Sequence, residues 1–320
     1  MATPSSPYAI PSTIDTFALN TSLADYSKVL TDNAYNSNTL VRILNRDAKK
    51  MVDGGLSIVE NLIEAEQNDG GFYQGADLLN NTQTNTLTMV EYKWQNLYEP
   101  ISITRDEERV NSGVEHKILE LAGTKTMLSE KAISKRLEQA LSQSVAGSGN
   151  LIPLSTLVNT GTLGSIAGGT DTFWQATSTT SGAFATQGLS DMATAYYAVS
   201  SSAENENPSL FLTTKAIFKK YEDTRLPLER IQNGDLSANA GLKSLTFKGS
   251  PITYSNYIDS GYLYGLNMNY IKLVVDTVTD FVTTPFITPS NQTVKVAYIL
   301  WRGNMITNNR RRHFRLVSVS

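Results

Sequence analysis

From Val110 to Val145 apolar side chains return at helical spacing: Val110, Val114, Ile118, Leu121, Leu128, Ala132, Leu137, Leu141 and Val145, with Gly147 and Gly149 supplying a stop. The start is marked by Thr104-Arg105-Asp106-Glu107, a capping box, and Asp106, Glu107 and Glu108 suit the positive end of a helix dipole. A helix of roughly 40 residues is about 60 Å long at 1.5 Å per residue, beyond the usual globular length. Residues 105–138 carry seven basic and seven acidic side chains, so this helix reads as a solvated or interface-lying strut. Its apolar stripe keeps no strict heptad, which argues against a coiled coil, and Gly113 or Gly123 can bend it.

The charge pattern then changes abruptly. Residues 139–203 contain two charges, Asp171 and Asp191, amid Gly, Ser, Thr and Ala, which marks a domain boundary after Glu138. Leu189, Met192, Tyr196 and Val199 predict a helix, and NPSLFLTTKAIFKKYED predicts a buried strand turning into another. LTFKGSPITYSN reads as two short strands around a turn, and YLYGLNMNYIKLVVD continues as strand. After Asp280 no acid remains, while Lys295, Arg302, Arg310, Arg311, Arg312 and Arg315 give +6 on segments that read as strands.

Upstream of the helix the signals are of another kind. Residues 1–40 are rich in Ser, Thr, Asn and Pro, without helical period or strand alternation, and read as an extended arm with Tyr8, Ile10, Phe17, Leu19 and Leu23 as anchors. LSIVENLIEA is short and mixed. Beyond a turn-rich stretch, Val90, Tyr92 and Trp94 alternate with Glu91, Lys93 and Gln95, the period of a strand with one covered face. The result is a long two-stranded excursion, which an isolated hairpin cannot sustain in water and which must lean on something outside itself. Its charges from Glu60 to Asp77 are all acidic: Glu60, Glu64, Glu66, Asp69 and Asp77.

Several chemistries are excluded. In 320 residues of net charge −3 there is no cysteine, hence no disulfide, thiolate nucleophile or Cys-ligated metal, and only His116 and His313 could act as imidazole groups. His116 sits on a charged helix, and the positive neighbours of His313 in RRRHFR disfavour its protonation. GTLGSIAGGT and QNDGGFYQG do not follow phosphate-cradling spacings. No apolar run is long enough to span a membrane, and the first residues lack the regions of a signal peptide, so a cytoplasmic setting is expected. The sequence implies no cofactor, metal site or catalytic residue. Arg310-Arg311-Arg312 is the best signal for an acidic partner, although alternate arginines on a strand would face opposite sides.

The order of these parts resembles the major capsid protein of tailed double-stranded DNA bacteriophages. The resemblance is carried by Trp94-Gln95-Asn96-Leu97-Tyr98-Glu99-Pro100-Ile101 leading into the capped helix and by Pro208-Ser209-Leu210-Phe211-Leu212-Thr213-Thr214. Leu245-Thr246-Phe247-Lys248-Gly249-Ser250-Pro251-Ile252, Leu300-Trp301-Arg302-Gly303 and the late arginines add to it. It implies an α+β chain with the Hong Kong phage coat fold. An N-terminal arm would cover 1–52, an extended E-loop hairpin 53–98, and the P-domain spine helix 99–149, its helical part running from about 105 to 147. The α/β A-domain would cover 150–280, and the P-domain would close with strands in 281–320.

The implied role is a non-enzymatic coat protein that self-assembles as hexamers and pentamers into an icosahedral shell around double-stranded DNA. The expected partners are further copies, portal, scaffolding and decoration proteins, and packaged DNA held by non-specific contact; no membrane is implied. Assembly in the host cytoplasm and a final place in the virion follow. Some relatives cross-link an E-loop lysine to a P-domain asparagine, but no lysine lies between Asp53 and Tyr92 here. The segregated charges make Glu60, Glu64, Glu66 and Asp69 of one subunit candidate partners for Arg310, Arg311, Arg312 and Arg315 of another. Two alternatives remain: an encapsulin-like bacterial compartment shell, and an enzyme or glycan-binding module using Tyr254, Tyr257, Tyr262 and Tyr264 as a platform.

Overall fold

The computed structural model describes residues 38–66, 70–79, 86–110, 115–145, 149–201, 206–232 and 245–320, with backbone alone for 115–120 and 225–232. In chain order the elements are α1 (Thr39–Asp47), β1 (Lys49–Val52), β2 (Ser57–Ile63), β3 (Leu87–Lys93), β4 (Gln95–Thr104), α2 (Arg105–Val110) and α3 (Glu115–Ser142). Then follow α4 (Leu154–Leu157), β5 (Thr177–Thr180), α5 (Leu189–Val199), β6 (Leu210–Thr213), α6 (Lys215–Gln232), β7 (Thr246–Phe247) and β8 (Ser250–Tyr254). The chain closes with β9 (Leu263–Leu266), β10 (Ile271–Asp276), β11 (Val282–Thr283), β12 (Val294–Thr307) and β13 (Phe314–Val317). Two compact units result. Among the described residues one comprises Asn96–Arg136 and Val278–Trp301; the other comprises 38–95, Leu137–Thr277 and Arg302–Ser320.

In the first unit the capping box forms as the sequence indicates. Thr104 N donates to Glu107 Oε2 at 2.8 Å, and Glu107 N donates back to Thr104 Oγ1 at 3.3 Å. Lys125 Nζ donates to both Glu107 oxygens, at 2.8 and 2.7 Å, and to Ser102 O at 2.7 Å. Burial alone would raise the Glu107 carboxyl; the bonds from Lys125 and Thr104 outweigh it and hold the group below its usual range. The long helix is described as α2 and α3. It ends at Ser142, short of the expected 147, and Gly113 lies outside the described residues. Along the first half of β12, Ala297, Ile299 and Trp301 are buried while Tyr298 between them is exposed, the alternation of a strand with one covered face.

The core of the second unit is a mixed six-stranded sheet in the order β5-β13-β9-β6-β8-β7. Phe211, Phe247, Phe314 and Leu316 from its strands pack with Met192, Tyr196 and Val199 of α5 and Ile217 and Tyr221 of α6. These are the apolar positions whose helical and strand periods the sequence displays. A second layer of pairing runs β1 parallel to β10 and β10 antiparallel to residues 303–307 of β12.

Two expected boundaries change. Residues 1–37 of the expected arm lie outside the described residues, but within the range to residue 52 the chain forms α1 and β1. Leu40, Val41 and Leu44 share one buried helical face, and the Glu138 carboxylate accepts from Leu40 N at 3.0 Å and Val41 N at 2.7 Å, satisfying the helix start. The expected C-terminal block 281–320 is divided. Val278–Trp301 belongs to the first unit, whereas the 3-10 turn Arg310–Arg312 redirects the chain so that β13 joins the six-stranded sheet between β5 and β9.

Candidate subunit-contact surfaces

The excursion is a true hairpin: β2 pairs antiparallel with β3 from Ser57↔Lys93 to Ile63↔Leu87. One face is dry. Ile58, Leu62, Val90 and Tyr92 join Trp94, Leu163, Ile166, Trp174, Val274 and Ile306 in a cluster belonging to the hairpin's own chain. Gly164, at φ +64°, lets its loop press against Val90 and Glu91, where a Cβ would clash. The expectation that the excursion leans on something beyond itself is therefore met, for its lower half, by its own subunit.

Among the described residues the opposite face and the positions near the tip are exposed. Val59, Ile63, Leu87 and Met89 form the exposed side of the strands, and Phe72, Tyr73, Leu78 and Leu79 stand exposed near the tip. Fully burying such a side chain is worth about 1.5–3 kcal/mol, so this exposed grouping is the strongest candidate contact surface among the described residues. No helix of the described residues is long and apolar enough to cross a membrane.

The proposed acids fall into two groups. Glu60 is held within its own chain by Lys50 Nζ at 3.1 Å and Lys272 Nζ at 3.4 Å, and its side chain is only 14 % exposed. Glu64 and Glu66 are exposed at the outer end of the hairpin; Asp69 lies outside the described residues.

The arginines separate further, because residues 310–312 form a 3-10 turn instead of the expected strand. Arg310 has no exposed surface. Its Nε donates to Leu157 O at 2.8 Å, Nη1 to Gly161 O at 2.5 Å and Trp174 O at 3.1 Å, and Nη2 to Thr156 O at 2.7 Å. Burial, against the pull of the Tyr92 hydroxyl and with the help of Arg315, draws its pKa down to about 10, so it stays charged at neutral pH. Arg310 therefore leaves the set of intersubunit candidates: it is a buried tie for one loop. Arg312 pairs with Glu206 and donates to Val199 O, and Arg315 donates to Ser178 Oγ, Ser155 O and Asn159 Oδ1. Arg311 alone of the four is exposed. Among the described residues, none of Glu60, Glu64 and Glu66 pairs within the chain with any of these arginines; Arg312 takes Glu206 instead.

His313, in the same turn region, is fully buried. Asn267 N donates to its Nδ1 at 3.1 Å, and Thr307 Oγ1 lies 3.1 Å from Nε2. Burial first, and the Arg310 charge second, push its pKa down to about 3, so the ring is a neutral structural group. No group of three or more His, Asp or Glu suited to a metal ion occurs among the described residues. The tyrosine platform also fails to form: Tyr264 is buried, with Tyr262 stacked beside it, and of the four only Tyr254 is exposed. Lys50 and Lys272, the true partners of Glu60, were not signalled by spacing, since Lys272 is 212 residues away.

No protein-family profile matches the sequence, and no curated protein does. Solved structures do. The cyanophage A-1(L) capsid asymmetric unit superimposes with a TM-score of 0.67 at 16 % identity, covering 93 % of this chain and 97 % of that one. The capsid of a native GTA particle gives 0.61 at 12 % identity, covering 93 % and 96 %. The holo-SrpI encapsulin complex from Synechococcus elongatus PCC 7942 gives 0.57 at 13 % identity, covering 95 % of each chain. Over more than nine-tenths of its length this chain has the phage capsid fold that the sequence resemblance implies.

Proposed function

We propose that this protein is a major capsid protein of a tailed double-stranded DNA bacteriophage, a structural and non-enzymatic subunit that self-assembles as hexamers and pentamers into an icosahedral shell. The observation that carries this reading is the exposed apolar outer face, with exposed apolar positions near the tip, of a hairpin whose inner face its own chain already fills. The matching fold of phage capsids over nearly the whole chain supports it. Further copies are the principal partner; portal, scaffolding and decoration proteins and the packaged DNA are the others. The arm, residues 1–37 included, would add contacts between copies, and the virion would be the final location after assembly in the host cytoplasm.

Part of the lateral cohesion would come from Glu64, Glu66 and Asp69 of one subunit meeting Arg311 of another, with half-buried Arg312 and Arg315 behind it. Each exposed pair is worth only about 0–1 kcal/mol, but repetition at every subunit contact multiplies its weight. The competing placement turns Arg311 toward packaged DNA. Glu64→Lys with Glu66→Lys should block assembly and be partly rescued by Arg311→Glu; normal empty shells from the reversed acids alone would favour the DNA-facing placement.

A second reading, a compartment shell enclosing protein, is favoured by the likeness to an encapsulin complex. Purified particles treated with nuclease and then opened decide the matter. Protected double-stranded DNA is the expected result for a capsid, and a protein cargo without DNA would establish the compartment instead.

A further inference from the structure

Both legs of the hairpin are tied to Arg302 where they leave the body, and the entering leg is tied to Asp276 as well. The leg entering β2 passes through Gly54 and Gly55, at φ +61° and +102°, a left-handed pair that any side chain would strain. Gly54 N donates to Asp276 Oδ1 at 3.4 Å, and Gly55 O accepts from Arg302 Nη2 at 3.3 Å. The leg leaving β3 continues into Trp94, whose ring lies under the Arg302 guanidinium with 4.9 Å from its carbon to the ring centre. Arg302 Nη1 and Asp276 Oδ2 stand 3.7 Å apart, closing the clamp.

Asp276 ends β10 and Arg302 lies midway along β12, so the clamp is anchored in the sheet that also carries Lys272. Asp276 is buried, its side chain 7 % exposed, and the planar Arg302 meets an anion, a carbonyl and an aromatic face at once, a combination lysine cannot reproduce. Glu60, tied to Lys50 and Lys272, and Glu91 N, donating to Ser165 Oγ at 3.0 Å, hold the strands farther out.

We propose that Arg302 and Asp276 are positioning residues that fix the direction in which the hairpin leaves the body, and with it the angle at which its outer face meets another copy. This rests on the self-assembly reading. A hairpin leaving at one set angle presents its outer face identically in every copy, which a regular shell requires. Loss of the clamp frees the base, so copies would meet at a spread of angles.

The test is hydrogen exchange on unassembled full-length chain, followed by microscopy of assembled particles, for wild type, Arg302→Gln and Trp94→Phe. Trp94→Phe removes no hydrogen bond, because Trp94 Nε1 has no partner, and so guards against a variant that fails to fold. Amides of 57–63 and 87–93 should exchange at least tenfold faster in Arg302→Gln and about threefold faster in Trp94→Phe. Exchange in β6 and β9 should stay unchanged, and the particles should show a broadened spread of diameters. Hairpin exchange within twofold of wild type in both variants, or particles of wild-type diameter from both, would overturn the proposal. Failure of wild type itself to form particles would instead defeat the self-assembly reading, an outcome read without either variant.

Discussion

Phe211 and Phe314 meet with ring centres 6.0 Å apart across Gly265, the residue paired with both of them in the six-stranded sheet. The glycine is there for space. A Cβ at this position would enter the Phe314 ring, and the ring is enclosed by the main core and cannot swing away. Gly265→Ala should therefore destabilise the second unit by about 1–3 kcal/mol, the usual cost of overpacking, read as a lowered urea midpoint at unchanged slope.

Arg310 and Arg311 are neighbours with opposite fates, and their alanine variants should differ sharply. Arg310→Ala leaves four carbonyl groups without their donor, those of Leu157 and Trp174 in buried residues, at a cost of about 3–5 kcal/mol. Arg311→Ala removes an exposed side chain, and its effect on folding should stay within about 0.5 kcal/mol. Chemical denaturation of the unassembled variants checks both values.

His313 links stability to pH. Its folded pKa of about 3 lies below the ordinary 6.5, so between those values the unfolded chain binds the extra proton. Stability from this site is therefore unaffected above about pH 6.5 and falls as the pH drops toward 3, by at most about 1.4 kcal/mol per pH unit. Urea titrations at pH 7, 5.5 and 4.5 should show a steeper loss for wild type than for His313→Gln.

Much of this was legible in the sequence wherever a period recurs. Thr104 and Glu107, three residues apart, announce a helix start, and Val90, Tyr92 and Trp94 announce a strand with one dry face; both form as read. What the sequence does not display is which partner a charge finds. Glu60 looks like its neighbours Glu64 and Glu66, yet two lysines brought together by β1 and β10 neutralise it. The arginine run was equally opaque, because a single 3-10 turn decides that Arg310 points into the core and Arg311 outward. The clamp at Arg302 and Asp276 depends on two strands meeting across a long stretch of chain. Its local trace was the Gly54-Gly55 doublet before β2.

With no cysteine in the chain and no lysine between Asp53 and Tyr92, the hairpin offers no disulfide, and its one amine, Lys93, sits at the base of the hairpin, at the end of β3. Particles boiled in detergent with reductant should run as single chains. A trimmed arm would lower the mass without making multimers, whereas a ladder of covalent multimers would show a cross-link formed from other residues.

Self-assembly is tested most directly by electron microscopy of the purified full-length chain, with light scattering on the same sample, across a range of salt and with and without a scaffolding protein. Closed shells of uniform diameter, in which the exposed Phe72, Tyr73, Leu78 and Leu79 of one copy lie against another, are the expected result. Compact monomers under every condition would contradict it.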